Sequence, residues 1–184
     1  MKFDRGEQCL SPVVFSWETG WPLLPRAGIV PNILPMSTPD QRAEALGLKF
    51  AKPENRPYLN LCVKSGNLLF TSGHVSDLRG KLGSNVSVED GNAAARDAII
   101  KVLNSVWVAN NGTLNGLRVV RLLGCVNAAP DFTDCSTVIN GASDFLHEIF
   151  GKEDAGYHAR SALGFSTLPL GVAVEIEAIF EIVG

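Results

Sequence analysis

The sequence predicts an α+β domain, and three observations carry that prediction. Its last segment, residues 172–182, alternates apolar residues with Glu175, Glu177 and Glu181, the pattern of a strand with one buried face. Two longer stretches, 87–110 and 135–150, repeat their apolar residues at helical spacing instead. Taken in order the elements run two strands, helix, strand, helix, two strands, which leaves both helices to pack on one face of a sheet.

Each element follows from local chemistry. Residues 38–48 suit a short helix, and 59–64 and 68–72 read as strands joined at Ser65-Gly66-Asn67, where Gly and Asn tolerate the backbone of a tight turn. Ser87 with Asp90 three residues on marks a helix start, and Ala95, Ile99, Val102, Leu103 and Val106 give it an apolar stripe that Asn110-Asn111-Gly112 ends. Residues 118–126 form the next strand. The second helix, 135–150, carries Val138, Ile139, Ala142, Phe145, Leu146 and Ile149 on one face, with Gly151 after it. Residues 168–171 read as a hairpin turn into the last strand. That pairing sets Glu175 opposite about Gly164, some four residues or about 13 Å from Arg160, too far for an ion pair in a flat hairpin.

The bulk properties suit one soluble domain: 184 residues, 46% hydrophobic and 19% charged, with a formal net charge of −3. That balance offers no basic track for neutralising phosphates, which argues against nucleic acid as a partner. Cys9, Cys62, Cys125 and Cys135 form no Cys-x-x-Cys pair and have no histidine at ligand spacing, so they read as reduced thiols with neither zinc nor disulfides. No run approaches the roughly 20 apolar residues of a membrane helix. Residues 1–35 stand apart, with Pro12, Pro22, Pro25, Pro31, Pro35, Trp17 and Trp21, a proline density that forbids a long helix. They read as an extension, the tryptophans packing on the domain or on a neighbouring subunit, before a domain spanning 36–184. Neither a transit peptide nor a secretory signal fits them, and cytoplasmic is the default location, with a mitochondrial one open.

Chemistry concentrates around Arg160, whose guanidinium offers a rigid fork of donors matching a carboxylate. Four segments frame it in order: Arg56-Pro57-Tyr58; residues 66–74, Gly-Asn-Leu-Leu-Phe-Thr-Ser-Gly-His; His158-Ala159-Arg160-Ser161; and Leu168-Pro169 followed by Val174-Glu175-Ile176-Glu177-Ala178-Ile179. Together they resemble the YjgF/RidA family of reactive-intermediate deaminases, also described as L-PSP endoribonucleases, across most of the chain. The resemblance implies a chorismate-mutase-like fold assembled as a homotrimer with clefts between subunits. It further implies cofactor-independent hydrolysis of 2-imino or enamine acids to 2-oxo acids and ammonia, with no metal. Residue by residue, Arg160 matches the arginine that binds the substrate carboxylate and Glu175 the acid near the attacking water. Tyr58 and Ser72 match residues lining the cleft.

The departures are specific. Ala162 stands where many relatives have cysteine, a mild change if only its backbone meets substrate. His158 stands where they have proline, and the substrate-binding asparagine position falls at Ile139 or Asn140. His74 replaces a glutamine and is expected to face the cleft, whereas His147 is expected on the surface of the second helix. Residues 77–86 form an insertion. Two alternatives accompany the deaminase: a ribonuclease of the L-PSP type, which would want a basic track or a histidine pair, and a non-catalytic trimer that binds small carboxylates.

Overall fold

Residues 37–52 and 58–183 are described by a computed structural model, so the expectations for residues 1–35, for Cys9 and for Arg56-Pro57 lie outside the described residues. Strand β1 (Cys62–Ser65) turns through Gly66, at φ +61°, into β2 (Leu68–Thr71), and a short β3 (His74–Val75) follows. Helix α1 (Pro39–Ala45) precedes them, opened by a reciprocal cap between Thr38 and Gln41. Helix α2 (Val88–Ala109) starts where Ser87 accepts from the Asp90 amide and stops at Asn110. It leads to β4 (Leu117–Asn127), α3 (Cys135–Phe150), β5 (Ala159–Phe165) and β6 (Val174–Ile182).

One sheet holds all six strands in the order β1-β2-β6-β4-β5, with β3 also on β6. The alternation of β6 puts Val174, Ile176, Ala178 and Phe180 into a single core with Ile99, Val102 and Leu103 of α2 and Ile139, Phe145 and Leu146 of α3. Both long helices therefore cover one face. In β4 the register slips between Val119 and Arg121 against β6, a bulge that changes the phase of the strand. Leu117 and Val119 before it, and Leu122, Gly124 and Val126 after it, can thus all face the helices.

The expected hairpin between the last two strands is not formed. Strand β5 pairs in parallel with β4, Arg160 opposite Leu122, while β6 pairs antiparallel with the other edge of β4, Glu175 opposite Cys125. The α3 crossover carries the chain back to its starting end, which permits a parallel neighbour. Residues 166–173 then pass over the end of β4 and are held there by Gly80 N–H to Gly171 O and Ala173 N–H to Leu78 O, both 2.9 Å. The 77–86 insertion supplies these partners. Among the described residues no helix is long and apolar enough to cross a membrane.

Candidate functional site

Arg160 lies on β5, and its side chain turns toward α3. Its Nη1 donates to Asn140 Oδ1 at 2.9 Å and to Ser143 Oγ at 3.1 Å. These two α3 residues, three apart, present one face of the helix to the strand. Helix α3 comes this close because β4 carries Gly124 beneath it: a Cβ there would stand 2.5 Å from Ile139 Cδ1. Ile139 is fully buried in that contact and belongs to the core, whereas the next residue, Asn140, reaches Arg160. The same pocket, about 310 Å³, is lined with polar groups, among them Asp144, His147, Lys152 and His158.

His158 lies just ahead of β5, two residues before Arg160, and reaches the same Ser143 hydroxyl. Its Nδ1 lies 2.6 Å from Gly156 O and its Nε2 3.1 Å from Ser143 Oγ. Burial first, then the charges of His147 and Arg160, push the His158 imidazole below the usual histidine range. His147, expected on the surface, is half-buried and lies 5.6 Å from it, ring centre to ring centre.

Glu175 is elsewhere. Its neighbours Val174 and Ile176 point into the core, so its own side chain leaves the other face of the sheet. Gly73 makes room for it, since a Cβ at that position would stand 1.9 Å from Glu175 Oε1. The carboxylate opens onto a cleft of about 720 Å³ that takes in His74, Lys101, Asn104 and Phe50. Burial, and then the like charge of Glu177, hold the Glu175 carboxyl above the usual glutamate range. His74 is buried in the cleft wall, with Nδ1 and Nε2 each 2.7 Å from Ser72 O and Ser105 Oγ.

Within the chain, Arg160 and Glu175 are three residues apart along the sheet and two strands apart across it, on opposite faces. At ordinary strand spacings that is on the order of 14 Å. No small acid bridges it. Tyr58 is 95% exposed, and Ser72 donates to Asn60 O at 2.7 Å, a local backbone bond at the rim beside Gly73. Ala162 is half-buried, packed against the core under α3, two residues beyond Arg160 on the same side. The chain thus brings Arg160, Asn140 and Ala162 to one edge and leaves Glu175, Ser72 and Tyr58 away from them.

Sequence reasoning did not single out Ser143 or Gly73. Ser143 follows Asn140 at the i, i+3 spacing of a shared helix face, a signal available once Asn140 is chosen. Gly73 has no such signal, because its role depends on a strand 102 positions away in sequence from it at Glu175. Among the described residues no group of three or more His, Cys, Asp or Glu side chains could hold a metal ion. Cys125, beside Glu175 and Glu177, has its thiol pushed up to about 11, chiefly by burial, and Cys62 likewise to about 11. Neither is a nucleophile near neutral pH.

Known proteins share this architecture. Residues 51–182 match the family described as endoribonuclease L-PSP. Protein TCP17 of Trypanosoma cruzi is 37% identical over 148 residues, covering 76% of this chain and 91% of its own. Two solved structures superpose well. Atu1372 of Agrobacterium tumefaciens, a protein of unknown function, is 34% identical with a TM-score of 0.70, covering 79% of this chain and 92% of its own. A proposed endoribonuclease of Shewanella oneidensis is 28% identical with a TM-score of 0.72, covering 79% and 99%.

Proposed function

We propose that this chain, which belongs to the endoribonuclease L-PSP family, also called YjgF/RidA, hydrolyses 2-imino acids or their enamine tautomers to 2-oxo acids and ammonia. The observation that carries the reading is Arg160. Its Nη1 is held by Asn140 and Ser143, and its Nε and Nη2 bond to nothing among the described residues. That edge of the guanidinium is a ready two-pronged seat for a carboxylate.

The chemistry needs few parts. The carboxylate of the protonated imine R–C(=NH2⁺)–COO⁻ sits on Arg160, and a water adds to the imine carbon as Glu175 takes one of its protons, leaving the neutral carbinolamine. Glu175 returns that proton to the nitrogen and then takes the hydroxyl proton as the C–N bond breaks, releasing ammonia and R–C(=O)–COO⁻; the proton left on Glu175 passes to the ammonia or to solvent. A carboxyl held above its usual range is a better base near neutral pH than an ordinary glutamate. A protonated imine is electrophile enough that the reaction asks for no cofactor.

Since one protomer keeps Arg160 and Glu175 apart, the working site takes Arg160 from one subunit and Glu175 from the next, in a homotrimer. Support comes from the sheet face that the helices leave bare. Val63 and Phe70, paired across β1 and β2, and Leu163 and Phe165 on β5 are all between 40% and 49% exposed there. Exposed apolar side chains at both edges of the bare face, with β6 and β4 between them, suit a subunit interface. A formal charge of −3 favours a small acid over RNA as the substrate.

The test is ammonia release from 2-iminobutyrate, generated in situ by a threonine dehydratase, for the intact chain beside Arg160→Ala. Acceleration that depends on the arginine is expected. Equal rates with and without it sink the anchor; binding of 2-oxobutyrate without turnover leaves a carboxylate-binding protein, and RNA cleavage by the intact chain would favour the ribonuclease instead.

A further inference from the structure

We propose that His158, acting through Ser143, is a positioning residue that fixes which edge of the Arg160 guanidinium receives the substrate carboxylate; this rests on reading Arg160 as the carboxylate anchor. The proton positions along the chain of contacts are determined. A carbonyl only accepts, so the 2.6 Å contact with Gly156 O places the imidazole proton on Nδ1. Nε2 then presents a lone pair to Ser143 Oγ at 3.1 Å, and the hydroxyl donates to it. With its hydrogen committed there, Ser143 Oγ faces Arg160 Nη1 with lone pairs, at 3.1 Å. Asn140 Oδ1 takes the other Nη1 hydrogen at 2.9 Å. Every donor meets an acceptor from Arg160 to Gly156.

The consequence is directional. Nη1 is saturated, so an incoming carboxylate meets the Nε–Nη2 edge rather than the end of the fork. Without His158 the Ser143 hydroxyl is free to rotate its hydrogen toward the helix carbonyls or the pocket, and the guanidinium loses its fixed partner. The groups around His158 keep it neutral and therefore able to accept: His147 from α3 and Arg160 from β5 both oppose a further positive charge, and Asp144, Lys152 and Tyr157 line the same pocket. The tilted His147 ring, 5.6 Å away, also limits how far His158 can swing.

The experiment compares the intact chain with Ser143→Ala, His158→Ala and His158→Gln at mildly alkaline pH. It measures the Kd of 2-oxobutyrate by calorimetry, and KM and kcat for 2-iminobutyrate. Alanine at either position is expected to raise Kd and KM roughly tenfold, the cost of a lost bond to a charged group, and to change kcat less than KM. The glutamine variant is expected to recover to within about threefold, because its carbonyl reaches the position of Nε2 as a permanent acceptor. Melting temperatures within a few degrees of the intact chain keep folding out of the comparison. His158→Ala with unchanged Kd and KM overturns the proposal, as does glutamine no better than alanine. A chain that binds the oxo acid but releases no ammonia removes the hydrolysis reading alone, and the Kd series still decides this one. No saturable binding by the intact chain overturns both.

Discussion

Arg160 spends Nη1 on Asn140 and Ser143, and a lysine in its place has no second edge to offer once it is so held. A neutral lysine amine would also condense with the imine or the oxo-acid product and block the site as a Schiff base. Arg160→Lys should therefore lower kcat/KM on the order of a hundredfold although the charge is kept, measured as ammonia release. Glu175 makes a second prediction, one of pH. Its carboxyl is held above the usual range by burial and by Glu177, and only the ionised form can take a proton from water. Activity is then lost as pH falls through that raised value. Glu177→Gln removes the like charge, so the acid limb of kcat/KM should move to lower pH; a limb that stays in place would remove Glu175 as the titrating base.

At the scale of elements, the sequence was most readable where chemistry is local. Helix α3 runs over the predicted residues, Cys135–Phe150, because its apolar stripe, its start and Gly151 all lie within the segment. The start of α2 at Ser87 was legible for the same reason. What escaped was pairing at a distance. Residues 168–171 look like a hairpin turn, yet β4 lies between the strands on either side, a choice made by the α3 crossover and by the insertion that catches residues 171–173. The two-residue strand β3 was missed as well, since it is defined by its partner β6 rather than by any pattern of its own. The resemblance singled out Arg160 and Glu175 and left the asparagine position at Ile139 or Asn140, while the approach of Glu175 to Gly73 is visible only in three dimensions. Gly124 gives the element-scale prediction. A methyl there would stand 2.5 to 2.8 Å from three atoms of Ile139, the residue before Asn140. Gly124→Ala should force α3 outward, costing about 1–3 kcal/mol and roughly 5 °C in melting temperature. Because α3 carries Asn140 and Ser143, KM should rise with it. A variant that melts lower with KM unchanged would separate the packing of α3 from the setting of Arg160.

The whole molecule is where the separation of Arg160 from Glu175 becomes a prediction rather than a difficulty. A homotrimer would appear in light scattering at three times the 19.7 kDa protomer. Mass alone would not say which residues share a site, but mixing does. Arg160→Ala and Glu175→Gln chains are each expected to be inactive alone. Unfolded together in equal amounts and refolded, they are expected to form trimers in which some clefts draw Arg160 from one variant and Glu175 from the other. If each cleft takes one residue from each of two neighbours, random assembly restores about one quarter of the intact sites, and with them about one quarter of the intact activity. If both residues of a site came from the same chain, every cleft in the mixture would carry a defect and activity would stay at the level of the separate variants. The bare face around Leu163 and Phe165 then gives the control: Leu163→Lys, placed on an apolar surface 48% exposed in the protomer, should shift the mass toward the monomer and abolish the recovery on mixing. Recovery that survives loss of the trimer would mean that the two residues meet by some route other than this face.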